Sequence, residues 1–194
     1  MSGQHDELPV AARVRRLEER MIAAGLTSDA ELDGILEQVF SSASPVNGAR
    51  MVARAWKDPG YRERLLADGN AAAAELGFGA GSHGYLLKVV ENTPTVHNVI
   101  VCTLCSCYPT ALLGPSPSWY KSFSYRSRVV REPRAVLAEF GLELPDGTEI
   151  QVWDANSESR YLVLPLPPEA AAEMDESALA SLVTRNGLIG TAVR

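Results

Sequence analysis

The spacing of apolar residues changes character near Gly81, and this change divides the chain. Before it, apolar positions recur with the 3.6-residue period of helices. Val10, Val14, Leu17 and Met21 form one stripe of a helix from about Leu8 to Ala24, stopped by Gly25, with Arg13, Arg15, Arg16 and Arg20 mostly off that stripe. Ser28 to Glu31 is a capping box that opens a second helix, whose apolar face is Leu32, Ile35, Leu36 and Val39. A third helix is predicted over about Ala49 to Lys57. Asp58-Pro59 then supplies a cap and a first-turn proline for a helix through Leu66. An Ala-rich helix from Asn70 to Leu76 stops at Gly77.

After Gly81 strands dominate. Tyr85–Val90, His97–Cys102, Glu149–Trp153 and Arg160–Leu164 are rich in β-branched and aromatic residues and are bounded by turn formers. Short helices are predicted at Tyr125–Val130, from Glu132-Pro133 to Phe140, and from Asp175 to Thr184, while Pro109–Trp119, with three prolines and one glycine, reads as irregular backbone. The first two helices carry narrow apolar stripes and lie far from the expected core. They read as an arm over residues 1–45, ahead of a domain at 46–194. Such an arm folds back on its own domain or wraps a partner, and the former is the commoner arrangement.

The chain has 194 residues, of which 46% are hydrophobic and 22% charged, the balance of a soluble globular protein with a sizeable core. A net charge of −6 points away from nucleic acid and anionic membranes as partners. No apolar run approaches the roughly 18 residues of a membrane helix. Met1–Leu8 lacks the pattern of a secretory signal, so a cytoplasmic location is expected.

All three cysteines fall in Cys102-Thr103-Leu104-Cys105-Ser106-Cys107, after a strand and before a proline-rich loop. An odd, clustered set is a poor disulfide framework and a better metal or redox site. If Cys105 and Cys107 bind one metal through sulfur, the amide nitrogens of Ser106 and Cys107 are forced beside it. Deprotonating both closes three fused chelate rings, giving a near-planar set of two sulfurs and two nitrogens. Cys102 then reaches the metal as an axial ligand, and the sixth position stays open for substrate. Such a strong-field set suits a trivalent low-spin ion better than zinc. The rivals are three buried cysteines acting as small hydrophobes and a zinc site completed by His97. Clustered cysteines rarely serve packing alone, and the paired C-x-x-C of zinc sites is absent.

The segment Val101–Tyr108 resembles the metal-binding motif of nitrile hydratase alpha subunits. Val90–Asn98, Pro117–Lys121, Tyr125–Pro133, Val152–Asp154, Arg160–Pro165, Leu182–Arg185, Asn47–Arg50 and Ala55-Trp56 resemble the same family. The resemblance implies an α+β fold of layered α-β-β-α type behind the helical arm, and hydration of a nitrile to its amide. It implies Cys105 as a sulfinic acid, Cys107 as a sulfenic acid, Cys102 as an unmodified thiolate, and Ser106 and Cys107 as amide donors. Thr103 resembles the cobalt-type enzymes, so Co(III) is expected, with Fe(III) the alternative. The implied partners are a beta subunit, supplied as one chain or more and wrapped by the arm, and an activator that loads cobalt.

Asp154, Glu158 and Arg160 fall where the family places polar residues near the site; without the resemblance they read as an ordinary charged turn. Two departures stand out. Thr110-Ala111 follows Tyr108-Pro109 where the family usually carries Trp, which implies a roomier pocket and a bulky nitrile. His83 stands where many members carry Gln and offers a titrating group, or is a loop histidine without a role. His97 reads as a satisfied structural histidine, Trp119 and Tyr120 as core aromatics or pocket walls, and Arg126, Arg128 and Arg131 as a solvated or subunit-facing surface. The related thiocyanate hydrolase, a metal carrier and a redox sensor are the other functions compatible with the cysteine cluster.

Overall fold

A computed structural model describes residues 9–79, 84–105 and 107–194, with the backbone alone described at 38–42. The chain forms two compact units, Met1–Ser41 and Ser42–Arg194.

The first unit holds α1, Val10–Ala23, and most of α2, Asp29–Ser42. Gly25 ends the first helix region in the left-handed conformation, φ +67°. The capping box forms as spaced: the Ser28 amide donates to the Glu31 carboxylate at 2.9 Å, and the Glu31 amide to the Ser28 hydroxyl at 3.3 Å. Val14, Leu17, Met21, Leu32, Ile35 and Leu36 line an apolar groove within this unit.

The second unit begins on α3, Pro45–Lys57, four residues earlier than the predicted start. Ser44 caps it, its hydroxyl accepting from the Val46 amide at 3.2 Å, and Pro45 occupies the first turn. Met51, Val52 and Ala53 on this helix are fully buried. Gly48 lies where an added Cβ would fall 2.8 Å from the Leu112 carbonyl, so its small size lets another segment approach. Next come α4, Pro59–Ala67, capped by Asp58, and α5, Gly69–Glu75, capped by Asp68.

The strands β1, Leu86–Glu91, β2, Val96–Val101, β3, Glu149–Asp154, and β4, Ser159–Leu164, match the predicted runs within a residue or two. They form two parallel pairs, β1 with β4 and β2 with β3. Between β2 and β3 the chain makes α6, Thr110–Leu113, a 3-10 turn at Ser118–Lys121, α7, Phe123–Arg128, and α8, Pro133–Glu139. The stretch read as irregular backbone thus holds two short helical turns. After β4 come a second 3-10 turn, Glu169–Ala172, and α9, Glu176–Leu182, capped by Asp175. Then follows α10, Arg185–Ile189, capped by Thr184 and too short for periodicity to reveal.

Helices α4 and α5 pack on β1 and α8 on β3, while β2 contacts both β1 and β4. Two small sheets therefore meet with helices outside them, the layered α-β-β-α arrangement of an α+β domain. No helix among the described residues is long and apolar enough to cross a membrane.

Parallel pairing matters for the site because it brings like ends together. Val101 at the end of β2 stands in register with Asp154 at the end of β3. The Ala155 amide then donates to the Val101 carbonyl at 2.7 Å. The cysteine segment leaves β2 at this shared edge.

Candidate metal centre

Cys102 and Cys107 are buried, Cys105 is exposed, and none of the three is in a disulfide. Their sulfurs all lie within 4.8 Å of one another. Cys102 Sγ is 3.4 Å from Cys105 Sγ, and Cys105 Sγ is 3.1 Å from Cys107 Sγ. At a metal–sulfur distance of about 2.3 Å, sulfurs at right angles lie about 3.2–3.3 Å apart, and tetrahedral ones about 3.8 Å. These two separations lie nearer the right-angled value than the tetrahedral one. Burial pushes the Cys107 thiol up to about 12, with hydrogen bonds to Cys105 and Cys102 adding to the effect and Arg160 opposing it. A cation beside the Cys107 sulfur would offset this and favour its thiolate.

The loop that carries the cysteines is held on both sides. From the end of β3, Asp154 accepts the Thr103 amide at 2.9 Å and the Thr103 hydroxyl. From α7, Arg126 Nη2 donates to the carbonyls of Thr103 at 2.7 Å and Leu104 at 3.3 Å. The Cys105 amide donates to Cys102 Sγ at 3.3 Å. Behind the loop, the Tyr120 hydroxyl donates to the Cys107 carbonyl at 3.1 Å, and the Tyr125 hydroxyl to the Ile100 carbonyl at 2.7 Å. Tyr120 packs edge-on against Tyr108 with ring centroids 5.0 Å apart, and Trp119 likewise against Tyr125 at 4.9 Å. Tyr120 is 1% exposed and therefore core. Burial raises the phenol pKa of both Tyr120 and Tyr125, so each hydroxyl keeps the proton it donates.

Of the residues singled out from sequence, the fold brings Cys102, Thr103, Cys105, Cys107 and Asp154 together. Arg160, half-buried, lies with its guanidinium 5.0 Å from the Tyr85 ring centroid and acts electrostatically on Cys107. Glu158 is exposed; its amide donates to Asn156 Oδ1 and its carbonyl accepts from the Leu86 amide, so its backbone shapes the turn before β4. Thr110 opens α6 and is exposed. Ser106 and His83 lie outside the described residues.

His97 is committed elsewhere, which removes the nearest candidate for a fourth zinc ligand. Its Nε2 lies 2.8 Å from the Gly190 carbonyl and must donate there; Nδ1 then accepts from Asn92 Nδ2 at 3.2 Å. Asn92 Oδ1 accepts from the Asn98 amide, and Asn98 Oδ1 from Trp153 Nε1 at 2.8 Å. This buried network ties β2, the strand ahead of the cysteines, to its neighbours. Arg126 is the residue that sequence reasoning passed over as a contributor to the site, and Tyr120, read as a core aromatic or pocket wall, is a core residue that also holds the Cys107 carbonyl. The signal for Arg126 was its place in a motif of the family, while only the fold shows what it holds.

The chain matches the sequence model described as "Nitrile hydratase, alpha chain" over residues 8–192. The low-molecular weight cobalt-containing nitrile hydratase subunit alpha of Rhodococcus rhodochrous is 47% identical over 95% of this chain and 88% of its own. The thiocyanate hydrolase subunit gamma of Thiobacillus thioparus is 44% identical over 90% of this chain and 76% of its own. Among solved structures, a double mutant of the Fe-type nitrile hydratase from Comamonas testosteroni Ni1 superposes with a TM-score of 0.89. It is 41% identical, and the match covers 94% of this chain and 89% of that one. With a family match along nearly its whole length and a relative 47% identical over 95% of it, this chain belongs to the nitrile hydratase alpha-chain family.

Proposed function

We propose that this chain is the metal-carrying alpha subunit of a nitrile hydratase and adds water across a C≡N bond to give the amide. The sulfur geometry carries the reading: edges of 3.1 and 3.4 Å fit a six-coordinate ion held by Cys102, Cys105 and Cys107. The amide nitrogens of Ser106 and Cys107 complete the protein's share of the donors. Likeness to a relative named as cobalt-containing supports cobalt as the metal, and the strong-field donor set supports its trivalent state. Held there, cobalt supplies Lewis acidity toward the nitrile.

The chain's own residues shape the rest. Asp154 and Arg126 hold the Thr103–Leu104 backbone, Tyr120 holds the Cys107 carbonyl, and Arg160 places positive charge near Cys107. Cys105 as the sulfinic acid and Cys107 as the sulfenic acid would present oxygens to the substrate; the nucleophile is the Cys107 oxygen, restored afterwards by water, or a water that this oxygen orients, and the proton it gives up passes to the nitrile nitrogen. Asp154, Glu158 and Arg160 are the polar groups assigned to this region. Exposed Thr110, in place of a bulkier side chain, widens the approach, so the substrate is a bulky nitrile. A beta subunit, in one chain or more, completes the site, and an activator delivers cobalt.

The test is native mass spectrometry with metal analysis on the complex co-expressed with its partner chains in cobalt medium, followed by turnover. The expected result is one cobalt per alpha chain, added oxygens on Cys105 and Cys107, and amide formed from aromatic nitriles faster than from acrylonitrile. Zinc or no metal with three unmodified thiols overturns the reading. Thiocyanate consumed with release of ammonia, and no amide formed from any nitrile, moves it to the hydrolase.

A further inference from the structure

Arg126 stands on α7, outside the cysteine segment, yet its guanidinium meets that segment at two consecutive carbonyls, Thr103 at 2.7 Å and Leu104 at 3.3 Å. Its Nε is also buried and makes no hydrogen bond. The Leu104 carbonyl shares a peptide group with the Cys105 amide, and that amide donates to Cys102 Sγ at 3.3 Å. A cation on a peptide carbonyl draws electron density from the amide and makes its N–H a stronger donor. The charge of Arg126 therefore reaches the Cys102 sulfur through one peptide group. On the other side Asp154 accepts from the Thr103 amide, so the loop is fixed between an anion and a cation.

We propose that Arg126 is a positioning residue of the cobalt centre. It holds the 103–104 backbone in place and strengthens the hydrogen bond that withdraws charge from the Cys102 thiolate. Hydrogen bonds to coordinating groups tune a metal as well as orient its ligands. The inference rests on the cobalt reading above.

The experiment compares wild type, R126M, R126Q and R126K in the cobalt-loaded complex with its partner, by cobalt content and by the sulfur-to-cobalt charge-transfer band. R131Q, on an arginine whose Nε donates to the Ser127 carbonyl, serves as the charge control. Weakening the donor to Cys102 raises the sulfur lone pairs in energy. The band is therefore expected to move to longer wavelength in R126M and R126Q, less so in R126K, and to stay in place in R131Q. The cobalt concentration needed for half-loading during assembly should rise roughly 10-fold in R126M. A merely structural role lowers the band in proportion to cobalt content without moving it. A band at the wild-type position in every Arg126 variant, at whatever cobalt content remains, overturns the proposal. Wild-type complex without cobalt overturns the reading beneath it instead.

Discussion

Asp154 carries the most consequence per atom of any residue beside the cysteines. It accepts two hydrogen bonds from Thr103, and an ionised carboxylate makes these stronger than neutral ones. Asp154→Asn keeps one acceptor oxygen for the Thr103 amide but sets an NH2 against the Thr103 hydroxyl and removes the carboxylate charge. Activity per chain of the assembled complex, or its cobalt loading, should fall about 10- to 100-fold, the usual cost of disturbing a partner of a ligand loop. Equal cobalt content and equal turnover in D154N would remove Asp154 from the site.

His97 gives a prediction in pH. Burial holds its pKa below the ordinary 6.5, with the hydrogen bond to Gly190 opposing that shift. The folded chain therefore keeps His97 neutral while the unfolded chain takes up a proton. Its contribution to stability is present above about pH 6.5 and is lost as pH falls below it. Urea midpoints measured from pH 7.5 down to 5.5 should decline, and H97Q should decline less steeply. Parallel declines in both proteins would assign the acid sensitivity to other groups.

At the level of elements, the end of α10 shows how closely one segment is fitted to another. Gly190 has φ +91°, and a Cβ there would fall 2.0 Å from the Asn98 carbonyl oxygen and 2.9 Å from Val99 Cα. Gly190→Ala meets about 1–3 kcal/mol for the left-handed conformation alone, and the clash against β2 adds to it. Because Gly190 also accepts the His97 hydrogen bond, the damage should spread to the strand that leads into the cysteines. Thermal unfolding of G190A is expected several degrees lower, with cobalt loading reduced alongside. A melting temperature within a degree of wild type would show that α10 moves aside freely.

At the scale of the whole molecule, the cysteines and the groups that hold them all lie in the unit Ser42–Arg194, while Met1–Ser41 carries an apolar surface of its own. In that first unit Val10 is 72% exposed, Leu17 58% and Leu36 52%, more than single scattered apolar side chains explain. Wrapping of the beta subunit by the arm, the arrangement the resemblance implies, would cover this surface. Leu17→Glu with Leu36→Glu should weaken assembly with the beta subunit by about 1.5–3 kcal/mol per buried side chain, read by size-exclusion or analytical ultracentrifugation of the co-expressed chains. Undiminished assembly of the double variant would take the arm out of the interface.

Much of this was legible in order along the chain. Helix and strand periods, the Ser28–Glu31 capping box, the Asp58-Pro59 helix start and the spacing of Cys102, Cys105 and Cys107 are near-neighbour patterns, and near-neighbour physics reads them directly. Where signals were overlooked or elements ran to a few residues, at the Ser44-Pro45 start of α3, at α6 and at α10, boundaries or whole elements escaped. By itself the sequence determined the claw of three cysteines and the family to which the chain belongs. Only the tertiary structure decided that β2 and β3 run parallel, which sets Asp154 beside Thr103 across 51 residues of chain. It alone turned Arg126 from a surface charge into a clamp on the loop, and closed both nitrogens of His97 within a buried network. Local spacing dictates which face a side chain presents. Which distant group meets that face is set by strand register and by how the layers bury their apolar sides, and neither is written in local spacing.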